Sequence, residues 1–204
     1  MDIHGLPGFS CLVEVPAFKT ISSIWISARD PGSHFDSDRF LIRAEGDDGF
    51  QLSYDTSSDS EVMSDWLDIM RDADPSPSLV RFEGEVAQRG NGMRVSPFPL
   101  FVNATILEVG ASFVKPWYRD FWKDVEKVGP QLTTLRLEVV EGMDPAVAKS
   151  MKRLAKARFQ RGMPLTKLER MKFEGVSEED DVKAKKLWEE FRDGLGVDQY
   201  LTTL

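Results

Sequence analysis

Pairs of apolar residues separated by one position recur along the chain at nearly regular intervals. The clearest pair, Leu135/Leu137, lies in the stretch QLTTLRLEV, whose leucines follow an L-x-x-L-x-L spacing. Such alternation predicts short strands that are buried on one face. The pairs are Ile24/Ile26, Phe50/Leu52, Val80/Phe82, Leu107/Val109, Leu135/Leu137 and Met171/Phe173. Their second members are 26, 30, 27, 28 and 36 residues apart, and this indicates a structural repeat.

Amphipathic segments between these strands predict helices. Residues 61–73 follow a capping box that begins at Ser58, and residues 117–128 carry a continuous apolar stripe. Asp144 followed by a proline predicts the cap of a third helix, and Ser177 predicts the cap of a fourth. The apolar residues expected on the buried sides are Val62, Trp66, Ile69 and Met70; Trp117, Phe121, Val125 and Val128; Val147, Met151, Leu154 and Phe159; and Val182, Leu187, Trp188 and Phe191.

Strands and helices that alternate at a nearly constant step predict an α/β fold, a short leucine-rich-repeat-like solenoid with parallel strands whose stacked units share one core. A doubly wound α/β domain is the alternative. The strands alternate apolar with polar residues, and this favours the solenoid, because a doubly wound sheet is buried on both faces. Residues 40–55 differ, since two alternating runs flank Gly46-Asp-Asp-Gly49 and predict an N-terminal β-hairpin decoration.

The length of 204 residues suits one sizeable core, so we expect a single leucine-rich-repeat-like domain over residues 1–204. Within it, residues 17–56 are expected to hold irregular N-terminal strands and the hairpin. Residues 57–175 hold the strand–helix repeats, and residues 176–204 form a C-terminal capping helix and tail.

Composition narrows the classes of partner. A net charge of −8 argues against a nucleic-acid partner, because neutralisation of phosphates dominates that affinity. The sequence has no apolar run of the ~20 residues that a membrane-spanning helix needs, and its N-terminus lacks the features of a signal peptide. A single cysteine, Cys11, fits a reducing compartment. We therefore expect an intracellular protein, cytoplasmic or nuclear, with protein partners and no membrane partner.

Groups suited to catalysis are sparse. The two histidines, His4 and His34, lie in predicted loops, and Cys11 has no base nearby in sequence other than His4. Neither glycine-rich phosphate-binding fingerprint is present. We expect no catalytic residue, no cofactor and no metal. The enzymatic alternative is a small α/β enzyme that uses loop carboxylates at the carboxyl ends of its strands, such as Asp36, Asp38 and Asp48.

Polar residues between and beside the apolar pairs are expected on the solvent-facing side of a parallel sheet. Neighbouring strands lie about 4.8 Å apart, so Glu108 is expected between Arg81 and Arg136. Such a ladder of charges either solvates the sheet or recognises a protein partner. The candidate partner-binding residues are Trp25, Arg81, Glu83, Glu108, Arg136, Glu138, Lys172 and Glu174.

A basic run from Lys149 to Arg161 contains six basic residues and no acid. On a helix these residues flank an apolar stripe, so the run predicts an outer solvated face. The alternative is a docking patch for an acidic partner or for the acidic half of another copy of the chain.

Four segments carry a resemblance to a known family. They are DDGFQLSYDT (47–56), LDIMRDADPSPSLVRFEG (67–84), FPLFVNATILEV (98–109) and ARFQRGMPLTKLERMKFEG (157–175). From about residue 17 onward the chain resembles the F-box and leucine-rich-repeat-like proteins of mushroom-forming fungi.

In that family an N-terminal F-box docks onto a cullin-type ubiquitin ligase, and the repeats select a target. Residues 1–20 contain no F-box-like motif, so we expect the repeat portion alone. The sparse catalytic groups and the polar strand face predict a non-catalytic scaffold for protein–protein interaction. The resemblance implies that this scaffold is the substrate-recognition part of an F-box-type ubiquitin ligase adaptor.

Overall fold

The computed structural model describes residues 20–29, 39–47, 51–57, 77–84, 101–114, 122, 125–141, 143–171 and 177–201. In these residues the chain forms a seven-stranded sheet and two α-helices. The strands are β1 (Ile21–Arg29), β2 (Arg39–Gly46), β3 (Gln51–Ser57), β4 (Leu79–Gly84), β5 (Ile106–Val109), β6 (Thr134–Leu137) and β7 (Lys167–Arg170). The helices are α1 (Pro145–Gln160) and α2 (Glu178–Leu195), and short 3₁₀ turns cover Ala111–Val114, Val125–Lys127 and Asp198–Tyr200.

The sheet is mostly parallel, and its strands follow the order β3-β2-β1-β4-β5-β6-β7. Strands β1, β2 and β3 pair antiparallel, whereas β1 and β4 to β7 are all parallel. Among the parallel strands, β1, β4, β5, β6 and β7 lie side by side in the order in which they occur along the chain. A doubly wound sheet instead reverses direction at a switch point. No such reversal occurs within the parallel part of this α/β fold, although the hairpin strands β2 and β3 lie on the other side of β1.

The predicted apolar pairs of β1, β4, β5 and β6 align in one register, which confirms these four positions. All eight side chains are almost completely buried. Phe82 packs edge-on against Phe113 and Phe101, with ring centroids 5.4 and 6.1 Å apart. From α1, Met151 and Leu154 belong to the same buried cluster, so α1 covers this face of the sheet. We call it the core face.

A ladder of hydroxyl groups joins the amino-terminal ends of the parallel strands. Each hydroxyl donates a hydrogen bond to the main-chain carbonyl of the preceding rung. These bonds run from Ser78 to Ser22 (3.1 Å), Thr105 to Ser78 (3.0 Å), Thr133 to Thr105 (3.2 Å) and Thr166 to Thr133 (3.1 Å). The backbone N–H of each donor residue bonds to the same carbonyl, so side chain and main chain fix one register together.

The last strand does not lie where its apolar pair predicted. Strand β7 ends at Arg170, before Met171, and the predicted pair Met171/Phe173 is therefore wrong. Leu168 pairs with Leu135 instead, and Arg170 aligns with Leu137. The two bonds from Thr166 to the carbonyl of Thr133 set this register. Phe173 lies outside the described residues.

The N-terminal hairpin is confirmed by the antiparallel pairing of β2 with β3. Leu52 pairs with Ala44 of β2, so the pair Phe50/Leu52 does not supply a strand to the parallel stack. Phe50 itself lies outside the described residues. The hairpin instead extends the sheet beyond β1 on the side opposite β4.

Both described helices begin where the sequence predicts. The Asp144 carboxylate accepts a hydrogen bond from Ala146 N–H at 2.8 Å, and Ser177 Oγ accepts one from Asp180 N–H at 3.2 Å. Two predicted buried residues are exposed, however: Phe159 by 50% and Val182 by 68%. In the last turn of α1 it is Arg158 that is buried, and in α2 burial is concentrated towards the end of the helix, at Trp188 and Leu195.

The two other predicted helices are described only in part. Residues 61–73 lie outside the described part of the chain. Of the stretch 117–128, the final residues form a single 3₁₀ turn, Val125–Lys127, instead of an α-helix. Val125 and Val128 are nevertheless buried, as the apolar stripe predicts, and Trp122 donates its indole N–H to the carbonyl of Phe113 at 2.7 Å.

One member of the basic run points inward, against the expectation of a wholly solvated face. Arg158 is buried, and its guanidinium donates to the carbonyl oxygens of Gly129 and Pro130, each at 2.9 Å, and of Leu132. Burial lowers the pKa of Arg158, and the neighbouring cation Arg161 lowers it further. The loop before β6 therefore holds the arginine through main-chain oxygens. The other five basic side chains are exposed, as predicted.

Gly129 provides a sharp test of the packing of this loop. A Cβ atom added at Gly129 would lie 1.8 Å from the carbonyl oxygen of Val102, so Gly129→Ala must displace backbone. We expect a loss of about 1–3 kcal/mol in the free energy of unfolding, measured by urea denaturation. In the matched variant Gly194→Ala, the new methyl group meets nothing within 4 Å. Because Gly194 is helical, that variant should gain about 0.4–1 kcal/mol. Equal unfolding midpoints for the two variants would contradict this packing.

Candidate functional site

One row of side chains crosses β1 and β4 to β7 on the face of the sheet opposite the core. Register places these residues beside one another, and we call them the charged row: Trp25, Arg81, Glu108, Arg136 and Glu169. The side chains of Arg81, Arg136 and Glu169 are 32%, 36% and 39% exposed, so this face is referred to as the open face. After the tryptophan, cations and anions alternate from strand to strand.

Glu108 is the centre of the row and is only 3% exposed. Its Oε2 accepts a hydrogen bond from Arg81 Nε at 2.5 Å, and its Oε1 accepts one from Arg136 Nη1 at 2.7 Å. The predicted position of Glu108 between the two arginines is confirmed. A carboxylate that loses its water needs such partners, because the desolvation of an unpaired ion costs several kcal/mol.

Further contacts fix both ends of the row. Arg136 Nε donates a hydrogen bond to Glu169 Oε2 at 3.0 Å. The pKa of Arg136 is raised mainly by its hydrogen bond to Glu108 and next by its hydrogen bond to Glu169. At the other end, the guanidinium carbon of Arg81 lies 5.4 Å from the centroid of the Trp25 ring, within the range of a cation–π interaction. Most of the charge in the row is therefore compensated inside the protein.

Five of the eight residues predicted from sequence come together on this face: Trp25, Arg81, Glu83, Glu108 and Arg136. Glu83 extends the cluster, with its Oε2 3.9 Å from Arg81 Nη1. Lys172 and Glu174 lie outside the described residues. Their expected place in the row is taken by Glu169, because β7 pairs earlier in sequence than its apolar pair predicted. A hydroxyl residue lies two positions before the first apolar residue of the pairs in β1, β4, β5 and β6. Thr166 lies two positions before Leu168 in the same way, and this spacing is the signal that could have located Glu169.

Glu138 lies beyond the end of β6 and makes a different contact. Its Oε2 accepts a hydrogen bond from Ala111 N–H at 2.6 Å. A Cβ atom added at the neighbouring Gly110 would lie 3.2 Å from the carbonyl oxygen of Phe82, so the glycine allows close approach to the backbone of β4. Burial raises the pKa of Glu138, and the bond from Ala111 offsets part of this effect. Glu138 is thus a desolvated acid apart from the charged row.

A groove of about 1060 Å³ runs between the charged row and α2. Leu168, Met171 and Trp188 contribute apolar surface, while charged side chains line the remainder. Many of these charges are paired within the groove: Arg170 with Asp181 at 2.6 Å, and Arg192 with Asp198 at 3.0 Å. A groove of this kind offers little net charge to a polyanion.

A smaller cavity of about 350 Å³ lies at the carboxyl ends of β6 and β7, and we call it the strand-end cavity. Ligands of open α/β sheets bind at such strand ends, so this is where the enzymatic alternative places its site. The carboxylates named for that alternative, Asp36, Asp38 and Asp48, lie outside the described residues. Among the described residues, no group of three or more His, Cys, Asp or Glu side chains is arranged to hold a metal ion.

No helix in the described part of the chain is both long and apolar enough to cross a membrane. Comparisons with protein-family models, with curated proteins and with solved structures found no match to this chain.

Removal of Glu108 should destabilise the fold, because two arginines would lose their shared counter-ion. For Glu108→Ala we expect the free energy of unfolding to fall by about 2–3 kcal/mol, less than the ~3–5 of a wholly buried pair, since the arginines are partly exposed. Urea denaturation measures this. Glu190→Ala removes an exposed acid whose surface pair with Lys186 spans 3.9 Å, and it should change stability by less than about 0.5 kcal/mol. Equal losses in the two variants would show that Glu108 is not the centre of the row.

The raised pKa of Glu138 predicts a pH dependence of stability. The folded state holds this proton more tightly than the unfolded state does. The contribution of Glu138 to stability should therefore fall as pH rises from 4.5, the ordinary pKa of the carboxyl group, through its raised pKa in the folded state. Glu138→Gln cannot titrate and still offers an acceptor to Ala111. The difference in unfolding free energy between wild type and Glu138→Gln, measured across this window, should therefore decrease with pH. A difference that stays constant would contradict the raised pKa.

Proposed function

We propose that this chain is a non-catalytic scaffold for protein–protein interaction, and that it binds a protein partner through the charged row on the open face. The observation that carries the proposal is the position of Glu108, buried between Arg81 and Arg136 at 2.5 and 2.7 Å. These contacts hold two long side chains in one geometry before any partner arrives. Binding then loses less side-chain entropy than it would if the arginines were free. The entropic cost of binding is lower by about 0.5–1.5 kcal/mol for each side chain that is already ordered.

We also propose that the parallel part of the sheet is a short leucine-rich-repeat-like solenoid. Its hydroxyl ladder joins residues 56, 27, 28 and 33 positions apart, and the first of these steps is twice 28. In this interpretation the hairpin occupies the length of one repeat. Parallel sheets of other folds are covered on both faces, so the partly exposed charges of the open face support the solenoid. Solenoids present such extended surfaces to their partners.

The chemistry of the row indicates what kind of partner surface would fit. Its cations and anions alternate and largely neutralise each other, so attraction over a long range is weak. A polar protein surface with charges of both signs can pair with the charges of the row strand by strand. A surface with the wrong order of charges would place like charges beside each other and be repelled. Complementarity of this type favours specificity more than affinity.

The resemblance to F-box and leucine-rich-repeat-like proteins supports a narrower form of this proposal, in which the partner is the target of a cullin-type ubiquitin ligase. The chain would then supply the surface that selects the target. An in-frame F-box encoded next to this segment in its gene would support that role, and capture of the ligase adaptor by the longer product would test it.

The test changes the open face and leaves the buried centre of the row intact. Glu83→Lys/Glu169→Lys reverses two partly exposed acids, whereas Glu179→Lys/Glu190→Lys reverses two acids on α2 that do not line the groove, with the same change in net charge. Partners cross-linked to the wild-type protein in its native cells are identified, and each is then measured against both variants. We expect the open-face variant to lose at least tenfold in affinity with a fall of only a few degrees in melting temperature, since exposed ion pairs contribute little to stability, while the control retains binding. Equal binding by the two variants would contradict the proposal.

A further inference from the structure

The strand-end cavity has walls of two kinds. Apolar surface comes from Val139, Val140 and Met171 at the ends of the strands, and from Ala184 and Leu187 on α2. Its volume of about 350 Å³ lies at the lower end of the range of small-molecule sites, ~300–1,000 Å³. The cavity therefore suits a small ligand, or a single side chain, with an apolar body.

The charges around the cavity are unbalanced. Four acids line it, Glu138, Glu141, Asp180 and Asp181, against two bases, Arg170 and Lys183. Both bases are already paired, Arg170 with Asp181 at 2.6 Å and Lys183 with Glu141 at 3.7 Å. Asp180 accepts a hydrogen bond from Ser177 Oγ at 2.6 Å. Glu138 is left with no cationic partner among the described residues.

An anionic ligand would be disfavoured here, although a helix begins beside the cavity. The N–H groups in the first turn of a helix attract anions. The first turn of α2, however, carries four carboxylates of its own, at positions 178–181. The negative charge of an anionic ligand would be repelled by these carboxylates and by Glu138.

We propose that this cavity binds an organic ammonium group carried on a short apolar chain, with the carboxylate of Glu138 as its counter-charge. The apolar chain lies against Val140 and Leu187, and the ammonium group donates to the oxygen of Glu138 that does not bond to Ala111. Partial burial of Glu138 raises its pKa and also explains the preference, because a bound cation restores compensation that water supplies only in part. The site is separate from the charged row, so the scaffold proposal does not depend on it.

The probes are n-butylamine, a free amine, and Nα-acetyl-lysine methylamide, which carries the same ammonium group on a protein side chain. Methyl resonances of Val139, Val140, Ala184 and Leu187 are followed by NMR during titration. We expect saturable shifts confined to these methyl groups. A lower Kd for n-butylamine would identify a free amine as the natural ligand type, and a lower Kd for the lysine derivative would identify a side chain of a protein.

Glu138→Gln should raise Kd for both probes at least tenfold, because it removes the counter-charge and keeps an acceptor for Ala111 N–H. Glu179→Gln removes an exposed acid of α2 that does not line the cavity, and should leave Kd unchanged. Ala184→Leu fills the cavity and should abolish binding in a protein that still unfolds cooperatively. In the wild type, Kd should rise as pH falls through the raised pKa of Glu138.

Three results would overturn the proposal. n-Butanol, which has no charge, could bind as tightly as n-butylamine. Glu138→Gln could retain the wild-type Kd, and the shifts could fall on groove residues such as Trp188. None of these results would bear on the charged row, whose test uses different residues.

Discussion

A single register of main-chain hydrogen bonds, running from β1 through β4 to β7, is the constraint on which the rest of the molecule depends. Because side chains alternate between the two faces of a strand, a slip of one residue exchanges the buried set for the exposed set. The hydroxyl ladder from Ser22 to Thr166 holds the amino-terminal ends of the strands against such a slip. With the register fixed, Leu107 and Leu135 meet in the core, and Glu108 meets Arg136 on the open face.

Burial of Glu108 follows directly from this register, and its cost explains the arrangement around it. The residue lies on a short strand between two neighbours, where water has little access. Desolvation of its carboxylate costs several kcal/mol, which the two arginine hydrogen bonds offset. Each arginine in turn has a second neighbour, Trp25 for Arg81 and Glu169 for Arg136. The open face is therefore ordered by one buried charge, which holds the neighbouring arginines in place.

Much of this arrangement could be predicted from sequence, because apolar alternation and a repeated step are local signals. Four apolar pairs, the hairpin and the place of Glu108 follow from them. The errors arise where a longer-range contact overrides the pattern. Leu168 and Glu169 replaced the predicted residues of β7 because the hydroxyl of Thr166 sets the register there. Arg158 points inward because main-chain carbonyls of a distant loop receive its guanidinium, and an apolar stripe carries no information about those carbonyls. Of the residues that line the strand-end cavity only Glu138 was predicted as a site residue, since α2 supplies the second wall through a contact that no local pattern indicates.

Hydrogen-bond couplings across the parallel strands test the register most directly. A long-range HNCO spectrum of the perdeuterated protein detects each N–H···O=C bond by the two residues that it joins. The structure predicts couplings from Thr105 to Ser78, Thr133 to Thr105 and Thr166 to Thr133, and, at the other ends of the strands, from Glu138 to Val109 and Met171 to Leu137. Couplings displaced by one or more residues, or couplings that join these strands in antiparallel pairs, would contradict the register and the charged row together.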